Sequence, residues 1–297
     1  MRVTQSMITN NMLRHINQSY KQMSKTQEQL ATGKKISRPS DDPVIAAKGM
    51  TYRTELAEVE QYKRNLSEAY NWLDNSDEAL EKASQVLNRI RELTLQASNG
   101  TLDPPQKAMI GKEVTQLKEH LVTIANTQLS GKYIFNGNDT GTMPVDLSTG
   151  TVSKNTNKVS FELSKGILIS VNIEPTKVFS YNPGPPESGL FGDIQELEKV
   201  LNGSSSTPID SFLNKLDTNI NNILSERAEL GARYNRIELI DSRLGEQKVT
   251  ATRLLSNNED ADIAQVITEL KMQESVHRAA LGVGARIMQP SLIDFLK

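Results

Sequence analysis

The stretch VEQYKRNLSEAYNWLDNSDEALEKASQVLNRIRELTLQA, residues 59–97, decides the fold. Val59, Tyr62, Leu66, Ala69, Leu73, Ser76, Leu80, Ala83, Leu87, Ile90, Thr94 and Ala97 recur at alternating spacings of three and four. That rhythm is the seam of a helix lying along another helix. Upstream, Ser40-Asp41-Asp42-Pro43 supplies a start: Asp42 can cap, and Pro43 suits a first turn, where a missing N–H costs nothing. Downstream, Asn99-Gly100 breaks the pattern. A helix from Val44 to Ser98 would be about 80 Å long at the helical rise, a rod that a compact enzyme domain seldom needs.

The same rhythm appears on both sides. It begins at Leu13, Ile16, Tyr20, Met23, Gln27 and Leu30, and Gly33 offers a helix stop. After a capping start at Asp103-Pro104-Pro105-Gln106 it runs through Ile110, Val114, Leu117, Leu121, Ile124 and Gln128, with Gly131 closing it. Beyond Pro208 it passes Leu213, Leu216, Ile220, Ile223, Arg227, Leu230, Tyr234, Ile237, Asp241, Leu244, Lys248, Ala251 and Leu255. Charged residues at three of these positions, Arg227, Asp241 and Lys248, can set register at some cost in stability. A last segment, starting at Asp260 or Asp262, carries Ile263, Val266, Leu270, Gln273, His277, Ala280, Gly284 and Ile287. Ile267, Val276, Leu281, Val283 and Met288 flank that seam, and the tail adds Leu292, Ile293, Phe295 and Leu296. So wide an apolar arc exceeds what one partner helix covers. The remainder must meet another molecule or stay exposed.

Between the rods the texture changes. Residues 137 to about 189 are rich in Gly, Asn, Thr, Ser and Pro. Residues 159–163 alternate as a half-buried strand does, and Ser164-Lys165-Gly166 is a hairpin turn leading into residues 167–173. Tyr181–Pro186 reads as irregular, and residues 190–201 as a short helix. The expected fold is mainly α: a long antiparallel, coiled-coil-like helical bundle with a small β-rich insertion. Three parts are expected: a terminal coiled coil (1–42 and 256–297), a helical rod (43–136 and 205–255) and the insertion (137–204). The chain would run out and back, with its termini paired at one end and the insertion protruding at the other.

Composition narrows the function. Lys and Arg number 34 against 36 Asp and Glu, so no basic excess suits nucleic acid or an anionic membrane. With no cysteine, neither disulfides nor thiolate metal sites can form. The N-terminal residues contain no continuous apolar run, so no secretory signal peptide is expected, and no stretch reaches the about 20 apolar residues of a membrane span.

Sharper chemical readings fail on spacing. Gly33-Lys34 lacks the other members of a phosphate-binding loop, since positions 28 and 35 are Glu28 and Lys35. Gly282-Val-Gly284 is followed by Ile287 where a dinucleotide turn needs glycine, and small residues at a close helix contact explain it more simply. His15, His120 and His277 are followed four residues on by Ser19, Ile124 and Leu281, so no helical zinc pair exists. Asp41-Asp42 stands at a helix start, where capping is favoured over acid–base chemistry. No catalytic, cofactor-binding or metal-binding residue is expected.

Several of these segments resemble the flagellin superfamily. The resemblance rests on Leu30-Ala-Thr-Gly-Lys-Lys-Ile36 with Pro39-Ser-Asp-Asp-Pro43, on Asn88-Arg-Ile-Arg-Glu-Leu93 through Gln96-Ala-Ser-Asn-Gly100, and on Asp262-Ile-Ala264 with Gln289-Pro-Ser-Leu-Ile-Asp-Phe-Leu296. It spans about residues 1–135 and 210–297. The Pro-Ser-Asp-Asp-Pro form and the Ser-Leu-Ile-Asp-Phe-Leu ending are closer to the hook–filament junction adapters of the superfamily than to flagellin itself. Pro290 departs from the pattern, since it would interrupt a terminal helix.

The resemblance implies a non-enzymatic subunit without cofactors, exported unfolded through the flagellar type III channel without a cleaved signal and placed outside the cell in the flagellum. It implies terminal helices that pair on docking, rods packed laterally in a ring that buffers a mechanical mismatch, and an insertion facing outward. Implied partners are further copies of the chain, the first hook-associated protein, flagellin and an export chaperone. The expected assembly residues are Leu13, Ile16, Tyr20, Met23, Leu30, Ile263, Val266, Leu270, Ala280, Ile287, Leu292, Phe295 and Leu296, with Pro39, Ser40, Asp41, Asp42 and Pro43 as the helix-start motif. Two other readings stay open: a flagellin that builds long filaments, and an intracellular coiled-coil enzyme or scaffold.

Overall fold

Local chemistry sets the helix ends. In the computed structural model, which describes residues 5–99, 102–146, 151–179 and 189–287, α1 (Gln5–Thr32) stops where Gly33 takes a φ of +69°, a conformation that favours glycine. Helix α2 (Pro43–Ser98) starts where Asp42 Oδ1 accepts the N–H groups of Val44 (2.9 Å) and Ile45 (3.1 Å). Asp41 has a different task from capping. Its carboxylate accepts from the N–H groups of Arg38 (3.0 Å) and Ser37 (3.3 Å) and closes the turn ahead of the helix.

Helix α3 (Pro104–Ala125) begins with Asp103 N–H donating to Gln106 Oε1 at 3.1 Å. It does not reach the stop expected at Gly131. Asn126 leaves the helical pattern because its side chain bonds the Val145 backbone, donating to the carbonyl (2.8 Å) and accepting from the N–H (3.1 Å). Strands β1 (Gln128–Leu129) and β2 (Lys132–Tyr133) then pair antiparallel around Ser130 (φ 52°) and Gly131 (φ 78°). Gly131 is thus a hairpin residue, and Gln128 lies exposed on a strand rather than on a helical seam.

The second hairpin joins β3 (Ser160–Ser164) to β4 (Ile167–Ser170), with a bulge between Glu162 and Ser164. Helices α4 (Pro175–Phe179) and α5 (Leu190–Leu201) follow, then α6 (Asp210–Glu259) and α7 (Ile263–Ile287). The sequence reading contains no counterpart of α4. Its irregular segment Tyr181–Pro186, and Pro290, lie outside the described residues.

The chain divides into two compact units, Val59–Glu246 and Met1–Glu58 with Gln247–Lys297. In the first, α2 and α6 run antiparallel. Ser98 bonds Asp210, Arg91 meets Asp217 at 2.6 Å, Arg227 forks onto Asp77 at 2.8 and 3.0 Å, and Lys63 faces Asp241 at 3.8 Å. Every residue of the 59–97 seam is buried except half-buried Tyr62. Leu216, Ile223, Leu230, Ile237 and Leu244 answer from α6. Full burial of such a side chain contributes roughly 1.5–3 kcal/mol. Phe212, rather than its neighbour Leu213, is the fully buried residue at the start of that seam.

The insertion does not stand beyond the rods. Glu113 of α3 pairs with Arg89 of α2 at 2.7 Å, so α3 doubles back along α2 and delivers the insertion to its side. Asn65 Nδ2 donates to Glu162 O (2.8 Å), and Arg233 Nη1 donates to Asn172 O (2.9 Å). Leu163, Ile169, Val171 and the Phe135–Phe179–Phe191 stack join the same hydrophobic cluster as the rods.

Candidate assembly site in the terminal helix pair

In the second unit, α1 and α7 pack together. Asp262 starts α7 by accepting the N–H groups of Ala264 (3.0 Å) and Gln265 (3.2 Å) on Oδ1. The α7 seam carries Val266, 6% exposed, and half-buried Leu270, Gln273, His277 and Ala280, with Gly284 buried. Gly284 lets α1 approach: a Cβ there would lie 3.3 Å from Met12 Cε and 3.6 Å from Ile16 Cδ1. Gly282, by contrast, faces open space.

The α1 seam is shifted from the expected one. Ile16, Met23 and Leu30 face α7 as read, but their seam partners are Met12, Ser19 and Thr26 rather than Leu13, Tyr20 and Gln27. Leu13 is 45% exposed and Tyr20 61%. Met12 and Leu13 are adjacent and both apolar, so periodicity left the register ambiguous by one residue. Thr26 Oγ1 donates to Gln273 Oε1 at 3.1 Å, and the Tyr20 ring lies 6.3 Å from that of His277, whose Nδ1 is buried without a hydrogen bond. The interface therefore mixes polar layers with few large apolar contacts.

Much apolar surface stays uncovered. Ile263, Ile267, Met272, Val276, Leu281 and Val283 are each at least 39% exposed. Only the backbone of Ile287 is described, and Leu292, Phe295 and Leu296 lie outside the described residues.

A polar elbow joins the ends of these helices to their neighbours within the same unit. Lys35 N–H donates to Glu259 O (2.6 Å) and Ala261 N–H to Gly33 O (2.9 Å). The Glu259 carboxylate, 6% exposed, is held by Arg53 at 2.6 Å and Lys34 at 3.3 Å. Gly49 leaves room for it, since a Cβ there would sit 2.4 Å from Glu259 Oε1. Lys34 Nζ also meets Asp260 Oδ1 at 2.9 Å. That hydrogen bond raises the Lys34 ammonium above its usual range, and the same bond, with one from Ser256, holds Asp260 below the carboxylate range. Asp41 is likewise held low, chiefly by the Arg38 N–H. Pro39 and Ser40 form the exposed turn beside it, and Pro43 opens α2. Sequence reading missed Lys34, Gly49, Arg53 and Glu259; a glycine inside a long helical pattern was the available signal.

Among the described residues, no group of three or more His, Asp or Glu side chains is placed to hold a metal ion. No helix there is long and apolar enough to cross a membrane.

The fold is that of a mainly helical protein, with long antiparallel helices in one unit and α1 paired with α7 in the other. The family model for the bacterial flagellin N-terminal helical region matches residues 3–140, and that for the C-terminal helical region matches residues 213–296. The two together take in most of the chain, which belongs to the bacterial flagellin family. Within it, the chain is 25% identical to flagellar hook-associated protein 3 of Salmonella typhimurium, covering 94% of this chain and 95% of that one. It is 26% identical to a flagellin of Bacillus subtilis, covering 97% of each. The crystal structure of a flagellar junction protein from Legionella pneumophila shares the fold, with a TM-score of 0.57 and 17% identity over 72% of this chain and all of that one.

Proposed function

We propose that this chain is a structural adapter joining the flagellar hook to the filament, built into a short ring of copies by its terminal helices. The observation that carries this reading is the apolar surface left exposed on both flanks of the paired α7 seam, Ile267 and Leu281 on one side and Met272, Val276 and Val283 on the other. Water-exposed apolar surface of this extent is relieved by association. Leu13 and Tyr20 on α1 add to it. The partners in this reading are further copies, the first hook-associated protein on the hook side and flagellin on the filament side, with an export chaperone before assembly. The chain would act outside the cell, after export, and carry no catalytic activity.

Deleting the gene tests this. The expected strain builds hooks without filaments and sheds flagellin monomer into the medium. Normal filaments in that strain would refute it. The flagellin reading is favoured by the full-length likeness to the Bacillus subtilis protein. Polymer length separates the two: a filament subunit extends long polymers, whereas an adapter stops at a short ring.

A further inference from the structure

Two tyrosines face each other where α2 meets α6 in the Val59–Glu246 unit. The rings of Tyr70 and Tyr234 are 5.1 Å apart at their centroids and tilted by 60°, within contact range for an aromatic pair. Their backbones are pinned on both sides. Two helical turns along in one direction Arg227 meets Asp77 at 2.8 Å, and two turns along in the other Lys63 faces Asp241 at 3.8 Å. Tyr70 is half-buried, whereas Tyr234 is 37% exposed. A notch of about 280 Å³ opens beside Tyr234, and Asp74, Gly231 and Asn235, all exposed, line its mouth. A Cβ on Gly231 would meet nothing within 4 Å, so the entry is clear. A small solute therefore reaches the Tyr234 ring from water.

The surroundings suit loss of an electron from these rings. Burial, and after it the charges of Asp241, Tyr234, Glu238 and Asp74, hold the Tyr70 phenol above its usual range. The phenol thus keeps its proton at neutral pH, and oxidation of the ring must release it. Asp74 on α2 and Glu238 and Asp241 on α6 are the carboxylates around it that can accept a proton. The chain has no cysteine, a side chain that would be oxidised first. Tyr20, the most exposed tyrosine among the described residues, lies beside His277 rather than beside another tyrosine.

We propose that Tyr70 and Tyr234 form a site of oxidative phenol coupling, at which hydrogen peroxide, acting through a haem peroxidase, joins α2 to α6 by a carbon–carbon bond. Each phenol gives up one electron and one proton. The two phenoxyl radicals join through ring carbons ortho to oxygen, and the hydrogens displaced there move as protons to the oxygens, restoring both phenols. Peroxide takes up the two electrons and two protons and leaves as two waters. Because the rings are already held together, the coupling step is intramolecular and outruns encounters between chains. The new bond closes a loop of roughly 160 residues, and a cross-link over so long a loop stabilises by constraining the unfolded chain. The inference concerns the helical rod itself and holds for an adapter or a filament subunit alike.

The test treats the purified full chain with hydrogen peroxide and a haem peroxidase. Dityrosine emission should appear at the position of the monomer on a denaturing gel. Digestion should yield one cross-linked peptide pair containing Tyr70 and Tyr234, two hydrogens lighter than the separate peptides. Tyr70→Phe and Tyr234→Phe keep the packing, checked by circular dichroism, and each should lower that emission at least tenfold. The coupled chain should also unfold at a higher urea concentration than the untreated one, followed by the single tryptophan, Trp72, which is buried in the same unit. Native emission from either folded variant would overturn the proposal. So would dimers linked through Tyr20 as the main product, or oxidation confined to methionine with both tyrosines intact. A coupled chain that unfolds no later than the untreated one would overturn the role of the bond as a staple.

Discussion

Removing Arg53 should harm the elbow more than removing the carboxylate it holds. Glu259 is 6% exposed, whereas Arg53 is 62% exposed and Lys34 38%. Stripping a buried charge of its partner costs about 3–5 kcal/mol. Here Lys34 remains at 3.3 Å, and Arg53 is largely in water, so Arg53→Met should cost about 2 kcal/mol. Glu259→Gln takes away the ion that had to be desolvated and leaves two cations that reach solvent, so its cost should be under about 1 kcal/mol. The double variant should fall near Glu259→Gln alone, since no buried charge is then left unpaired. With two compact units a single melting temperature is a poor gauge. Native-state hydrogen exchange at the Lys35 and Ala261 amides, which bond across the elbow, reads it directly. A loss of about 2 kcal/mol speeds exchange roughly 30-fold. Equal effects of the two single variants, or a larger one for Glu259→Gln, would refute the reasoning.

Three further outcomes are expected. Asp260 and Asp41 are held below the ordinary carboxylate value, so their contribution is present above about pH 4 and is lost as pH falls through the lowered values. Lys34 is held above 10.5, so its contribution is complete below that pH and is lost as pH rises through the raised value. Elbow amide protection should thus form a plateau between these limits, and Asp260→Asn should flatten its acid edge. Gly33→Ala, at φ +69° with open space around it, should cost about 1 kcal/mol through left-handed strain alone, measured as faster hydrogen exchange at the Lys35 and Ala261 amides. Truncating residues 1–30 or 264–297 should abolish docking to hooks while circular dichroism retains most of the remaining helicity, because the 59–97 seam is buried within the other unit; collapse of the whole fold would contradict this.

The sequence by itself determined the long helices and most of their ends. Heptad spacing and cap chemistry act within one or two turns, so the seam from Val59 to Ala97, the Asp42 cap and the Gly33 stop were all legible without a partner in view. Long-range geometry was not. Met12 and Leu13 satisfy the same pattern, and only packing against Gly284 selects Met12. Gly131 looked like a helix stop until Val145, far along the chain, claimed the Asn126 side chain. Glu259, Arg53 and Lys34 are ordinary surface charges in a linear reading. They meet because α1 and α2 turn back against the end of α6, and an ion pair between residues some two hundred positions apart leaves no periodic trace. The apolar excess of α7 was visible in its composition, but which of its residues remain in water was decided by where α1 lies upon it.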